Sequence, residues 1–117
     1  MNSKTNCIFC RIAKSEIEAQ LLHSDEFCFA ISDINPVSPV HLLVIPKRHY
    51  RNLKDILDDS PETLRKLFAV SDQLSQHYDV DQTGFRLLIN QGDDAGQEIE
   101  HLHMHLLGGQ KMDFPRA

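Results

Sequence analysis

Three histidines carry the chemistry this sequence can do: His101, His103 and His105, set in His101-Leu102-His103-Met104-His105-Leu106-Leu107 and followed by Gly108-Gly109. Alternation of histidine with apolar residues at period two is the mark of a half-buried β-strand. On such a strand the three imidazoles share one face, while Leu102, Met104 and Leu106 point to the other. At a rise of about 3.3 Å per residue, neighbours on that face stand roughly 6.6 Å apart. The spacing suits imidazoles serving one polyvalent anion, or a metal plus a neighbouring ligand. The bland alternative is an exposed face that happens to be rich in histidine, the side chain best able to change charge near neutral pH.

A second chemical signal is Cys7-Ile8-Phe9-Cys10. A thioredoxin-like redox pair should follow a strand, yet only six residues precede Cys7. Half of a zinc site needs no such strand but requires two further ligands elsewhere. Two inert cysteines are the remaining reading, since buried thiols are common. A third candidate, His41, opens an apolar run; a lone histidine there is usually structural.

The frame around these residues is one domain of 117 residues and 13.4 kDa, large enough for a real core. Its 41% hydrophobic content argues against disorder, and a net charge of −5 against a general nucleic-acid binder. The cationic cluster Lys47-Arg48-His49-Tyr50-Arg51 reads as a solvated turn. Three cysteines without a signal peptide fit a reducing compartment, and no run approaches the roughly 18 apolar residues of a membrane span. The expectation is a soluble cytoplasmic protein with no membrane or nucleic-acid partner. Residues 1–6 read as a flexible N-terminus and 110–117 as a C-terminal tail.

Strands are expected at residues 19–23 and 27–33, around a turn at Ser24-Asp25-Glu26. Asn35-Pro36-Val37-Ser38-Pro39 is a stiff loop, because each proline fixes its own φ and biases its predecessor. A β-branched run at 40–45 reads as a central strand ending at Pro46. Residues 51–57 are ambiguous. Ser60-Pro61 starts a helix, with Leu64, Leu67, Phe68, Ser71, Leu74 and Tyr78 as its apolar stripe. After Gly84, residues 85–90 form a fourth strand, 92–97 a polar loop, and the histidine strand comes last. Strand meanders with a segregated helix make an α+β fold.

The His101-x-His103-x-His105 run resembles the signature of the histidine triad (HIT) superfamily of nucleotidyl hydrolases and transferases. Asp33-Ile34, Ser38-Pro39-Val40-His41, Val44-Ile45-Pro46-Lys47 and Asn90 extend the likeness, and Gly96-Gln97 and Leu107-Gly108-Gly109-Gln110-Lys111-Met112 resemble its Hint branch. The resemblance implies a five-stranded antiparallel sheet with one long helix and a short N-terminal helix, paired in a homodimer as a continuous ten-stranded sheet. It implies a purine nucleotide substrate and a covalent nucleotidyl-histidine that water hydrolyses, releasing AMP or GMP. Carried onto this sequence, His103 is the nucleophile, and His105 and His41 contact the phosphoryl oxygens or leaving group. Asn90 helps hold the phosphate, Asp33 binds the ribose hydroxyls, Ile8, Phe9, Ile12 and Ile31 form an apolar slot for the base, and Ile34 also belongs to the substrate-binding set. Gly96, Gln97 and Glu98 complete the binding set. It further implies one structural Zn2+ per protomer on Cys7, Cys10, His49 and His101, and no organic cofactor.

The sequence departs from some relatives at Glu98, where they carry Ser, and at Phe114, where they carry Trp. A purine nucleoside phosphoramidase is the leading reading. A dinucleoside-polyphosphate hydrolase and a nucleotide-binding adaptor with little turnover stand as alternatives.

Overall fold

A computed structural model describes residues 6–113, so the tail residues Phe114 and Pro115 lie outside the described residues. The chain runs α1 (Ile8–Ala13), β1 (His23–Ser24), β2 (Cys28–Ser32), β3 (Val40–Pro46), α2 (Leu53–Asp59), α3 (Pro61–His77), β4 (Phe85–Leu88) and β5 (Met104–Gly108), with a 3-10 turn at Asp93–Ala95 before β5. The five strands form one antiparallel sheet in the order β1-β2-β3-β5-β4, the α+β arrangement expected. The last strand in sequence therefore lies inside the sheet, between β3 and β4.

Alternation along β3 and β5 sorts their side chains onto two faces. Leu42, Val44, Met104 and Leu106 are buried on one face with Leu67, Val70 and Leu74 of α3. Each such side chain contributes about 1.5–3 kcal/mol on leaving water. On the other face Phe9 and Ile12 of α1 pack against Phe29, Leu43 and Ile45. Helix α3 thus packs on one face, joined there by Tyr50, Ile56 and Val80, while short α1 packs on the other. His41 and His105 emerge on that second face, beyond the edge of α1.

Local chemistry sets the element ends. Ser60 caps α3 by accepting from the Thr63 N–H, with Pro61 at the first helical position. Asn52 does the same for α2, accepting from the Asp55 N–H at 2.9 Å, which resolves the ambiguous stretch as helix. The stripe of α3 is offset from the expected one: Val70 is buried, whereas Phe68 is 49% exposed. Positions 67, 70, 71 and 74 share one helical face, and 68 lies a full 100° step from 67.

The first expected strand shrinks to His23–Ser24. The Asp25 carboxylate accepts from the N–H groups of Phe27 and Cys28 and closes a tight turn, and residues 18–21 are exposed. The fourth strand stops at Leu88 rather than Asn90. The histidine strand begins at Met104, not His101. Upstream of Met104 the backbone leaves the ladder, because the Leu102 N–H bonds to the Tyr50 carbonyl at 2.7 Å. Side chains still alternate through this extended approach, so Leu102 remains buried beside Met104.

Candidate functional site

Two clusters sit on the α1 side of the sheet and share the His101–His105 segment. The first joins Cys7 and Cys10 of the α1 turn to His49, after β3, and His101. Their ligand atoms all lie within 4.8 Å of one another. Cys7 Sγ is 3.3 Å and Cys10 Sγ 3.5 Å from His101 Nδ1, and Cys10 Sγ is 3.2 Å from His49 Nδ1. A tetrahedral zinc with Zn–S about 2.3 Å and Zn–N about 2.05 Å requires N···S separations of about 3.5 Å. The donor set therefore fits such an ion. His101 Nε2 lies 2.8 Å from the Pro46 carbonyl, which fixes the proton there and turns the Nδ1 lone pair toward the sulfurs. Burial holds His101 largely uncharged, its pKa pushed down to about 4. This group could hold a metal.

The second cluster is His41, His103 and His105. His103 Nδ1 donates to the His101 carbonyl at 2.9 Å, so Nε2 carries the lone pair of the neutral ring. Phe9 packs edge-on against His103, with ring centroids 5.2 Å apart. His105 lies opposite Leu43 of β3 and Leu88 of β4, and its Nδ1 is 2.8 Å from His41 Nε2. His41 Nδ1 accepts from the Val37 N–H at 3.1 Å, which leaves its proton on Nε2. Asp33 Oδ2 stands 3.3 Å from that same Nε2.

Burial, together with neighbouring His103 and His41, lowers the His105 pKa to about 4. Burial also lowers that of His41, against the opposing pull of Asp33. The pair is therefore neutral at pH 7 and donates through N–H groups rather than as cations. The same shift makes a stability prediction. His105 titrates at about 4 when folded and 6.5 when free, so between these values the unfolded chain binds more protons. Its stabilising contribution is present above pH 6.5 and lost as pH falls toward 4. Urea midpoints should drop between pH 7 and pH 5, and His105→Asn should shrink that drop; an unchanged drop would contradict this origin.

A cavity of about 760 Å³ opens beside these rings. Its lining includes the apolar side chains of Ile8, Phe9, Ile12 and Ile31 together with Asp33, Ile34, Asn90, His103 and His105. Gly96, Gln97 and Glu98 form part of its rim. Every residue expected to bind substrate thus reaches one space, although Ile34 is 91% exposed at its mouth. Gln97 also braces the rim from within: its Oε1 accepts from the Gly92 N–H at 2.9 Å and its Nε2 donates to the Ile99 carbonyl at 3.1 Å. Gly96 supplies the left-handed turn there, at φ +79°.

Sequence reading missed several residues that also line the cavity, among them Leu43, Ile99 and the stretch from Ile17 to Gln20. Leu43 was detectable, being two residues along β3 from His41 and so on its face. Ile99 was visible only as an apolar residue in a polar loop. A second cavity of about 490 Å³ lies on the far side of His41 and His105, walled by Val37, Leu88, Leu107 and Lys111, and it shares Asn90 and His105 with the first. His105 and Asn90 thus stand between the two chambers, while His41 lines only the second.

Among known proteins, the HIT domain matches residues 14–112. Protein HitA of Neisseria gonorrhoeae is 40% identical over 103 residues, covering 88% of this chain and 95% of its own length. The structure of a histidine triad protein from Clostridium difficile superposes with a TM-score of 0.90 at 40% identity, covering 97% of this chain and 99% of the other. A HIT family hydrolase from Legionella pneumophila Philadelphia 1 gives a TM-score of 0.88 at 41% identity, with coverage of 94% and 98%. A five-stranded sheet of this order, a histidine cluster at the end of β3 and β5, and these relatives lead to one assignment: the chain belongs to the HIT domain family.

Proposed function

We propose that the protein is a nucleotidyl hydrolase acting on purine nucleoside phosphoramidates and acyl-adenylates, releasing AMP or GMP through a nucleotidyl-His103 intermediate. The observation that carries this reading is the His103 ring. Its Nδ1 proton is spent on the His101 carbonyl, which leaves Nε2 as an oriented lone pair at the cavity. The apolar side chains lining the 760 Å³ cavity suit a purine base, and Asp33 on the same lining suits the ribose hydroxyls.

In the first step His103 Nε2 attacks the α-phosphorus, forming a P–N bond to the ring as the P–N bond to the amine breaks. The amine departs with a proton relayed from solvent through His105, whose ring ends neutral. In the second step water attacks phosphorus, the electron pair of the ring P–N bond returns to Nε2, and the proton of water leaves by the same route. In this reading N–H groups of His105 and Asn90, which line the cavity, stabilise the phosphoryl oxygens, and positioned donors of this kind are a large part of phosphoryl-transfer catalysis. Zn2+ on Cys7, Cys10, His49 and His101 is structural in this reading, because four protein ligands leave no open position.

The protein acts in the cytoplasm as a homodimer. Strand β4 is an edge of the sheet, with Phe85 36% exposed, and two such edges paired about a two-fold axis give ten continuous strands. Light scattering should report about twice 13.4 kDa at micromolar concentration, and a monomer would contradict the pairing. Turnover is tested with purified protein on an adenosine phosphoramidate panel beside a dinucleoside polyphosphate. Amine release with AMP formation supports the assignment. Preferential cleavage of the polyphosphate, or nucleotide binding without turnover, would replace it.

A further inference from the structure

The chain turns back on itself directly after α1. The Ser15 N–H donates to the Ile12 carbonyl at 3.0 Å and the Glu16 N–H to the Arg11 carbonyl at 2.8 Å, with Ser15 in the left-handed conformation at φ +61°. This return carries Ile17 against the apolar cluster of Phe9, Ile12 and Leu43, on which Ile31 also packs. Glu18 follows, its Cα about 3.8 Å from that of Ile17. It lines the 760 Å³ cavity together with Ile12 and Ile17, and the same three residues border a neighbouring hollow of about 550 Å³. Glu16 is paired with Arg11 at 3.8 Å, whereas the Glu18 carboxylate has no hydrogen-bond or ion-pair partner among the described residues.

Glu18, Asp33 and Glu98 all lie on the cavity lining, and among the described residues no lysine or arginine joins them there. Such a wall offers an anionic ligand no attraction of charge, so each carboxylate must meet a donor on that ligand. A carboxylate accepts hydrogen bonds and donates none. Guanine presents N1–H and N2–H side by side, two donors matched to two carboxylate oxygens. At the same edge adenine presents the N1 lone pair beside its N6–H, so a carboxylate gains one bond and faces an acceptor. We infer that Glu18 is a specificity-determining residue that selects guanine over adenine: with the base against Ile12 and Ile17, its carboxylate accepts from N1–H and N2–H. Gln20, also on the lining, carries both a donor and an acceptor and serves either base, so the choice rests on Glu18. The inference rests on the nucleotide reading above and narrows its substrates from purine to guanine nucleotides.

The test is calorimetric titration of the zinc-replete full chain with GMP, IMP and AMP. IMP keeps the N1–H of GMP and lacks the 2-amino group. GMP should bind at least about tenfold more tightly than AMP, with IMP between them. In Glu18→Gln the GMP-to-AMP ratio should fall to within about threefold, because an amide can donate to adenine N1 and accept from either base. Glu98→Gln removes one charge from the same lining and should keep the wild-type ratio. Guanosine and adenosine phosphoramidates should differ in KM at similar kcat, since contacts to the base edge are made alike in ground and transition states. If no purine nucleotide binds, the nucleotide reading fails and takes this inference with it. If AMP binds as tightly as GMP, if the preference survives in Glu18→Gln, or if Glu98→Gln abolishes it as fully, the role of Glu18 is wrong and the nucleotide reading stands.

Discussion

His103→Ala should lose at least about a thousandfold in turnover while keeping AMP affinity within about tenfold, roughly 1.4 kcal/mol. The asymmetry follows from where the contacts lie. In the proposed reading base and sugar would meet Ile8, Phe9, Ile12, Ile31 and Asp33, and phosphate would also meet His105 and Asn90, all of which line the cavity; only the bond to phosphorus would need the His103 lone pair. His41→Ala and His105→Ala should be slower yet active, because in the proposed mechanism they assist and do not bond to phosphorus. Rapid quench with substrate labelled at the α-phosphate should trap a nucleotidyl adduct on the wild-type protein and none on His103→Ala. Near-normal rates in His103→Ala would show that another group attacks.

Zinc removal should have the second large effect, on the fold and the site together. Freshly reduced protein should carry about one zinc per chain, and Cys10→Ser should lose it. A structural site of this kind couples binding to folding, so losing about 3 kcal/mol should lower Tm by roughly 10 °C or more. Turnover should fall further than stability alone accounts for. His101 would ligate the ion through its side chain while its carbonyl holds His103 Nδ1, so a slack metal site releases the nucleophile's tautomer. Metal analysis finding no zinc in fully stable, reduced protein would overturn the assignment, and a Cys10→Ser protein with unchanged kcat would overturn the link to His103.

The period-two histidine run made the α1-side face legible in sequence, yet it misplaced the start of β5 by three residues. Alternation reports the direction of side chains in extended backbone; it does not report whether that backbone has a ladder partner. Leu102 alternates correctly while bonding to Tyr50 rather than to β3. Cys-x-x-Cys was visible as half of a metal site because its ligands are local. Its counterparts His49 and His101 stand 39 and 91 residues from Cys10, and only the family likeness pointed to them. The contact between Asp33 and His41 was beyond reach for a related reason. It depends on β2 and β3 pairing in register across a proline-rich loop, and no local pattern encodes the direction of a carboxylate there. Helix α3 shows the opposite case: Ser60-Pro61 fixed its start, while the offset at Phe68 depended on which side of the helix the sheet covers.

The placement of β5 has a consequence for how the chain comes into being. As the polypeptide is synthesised, β3 and β4 are finished before residues 104–108 exist, yet they have no ladder to each other and meet only through β5. Until it arrives, β3 presents an open edge from Val40 to Val44, and β4 has nothing to pair with. An unpaired apolar edge is a template for any other strand nearby. The nascent chain therefore passes through a stage in which it is most exposed to association just before completion. Arrival of β5, which carries His105 and follows directly on His103, closes the sheet, so the histidine cluster is assembled and the open edge removed in the same event.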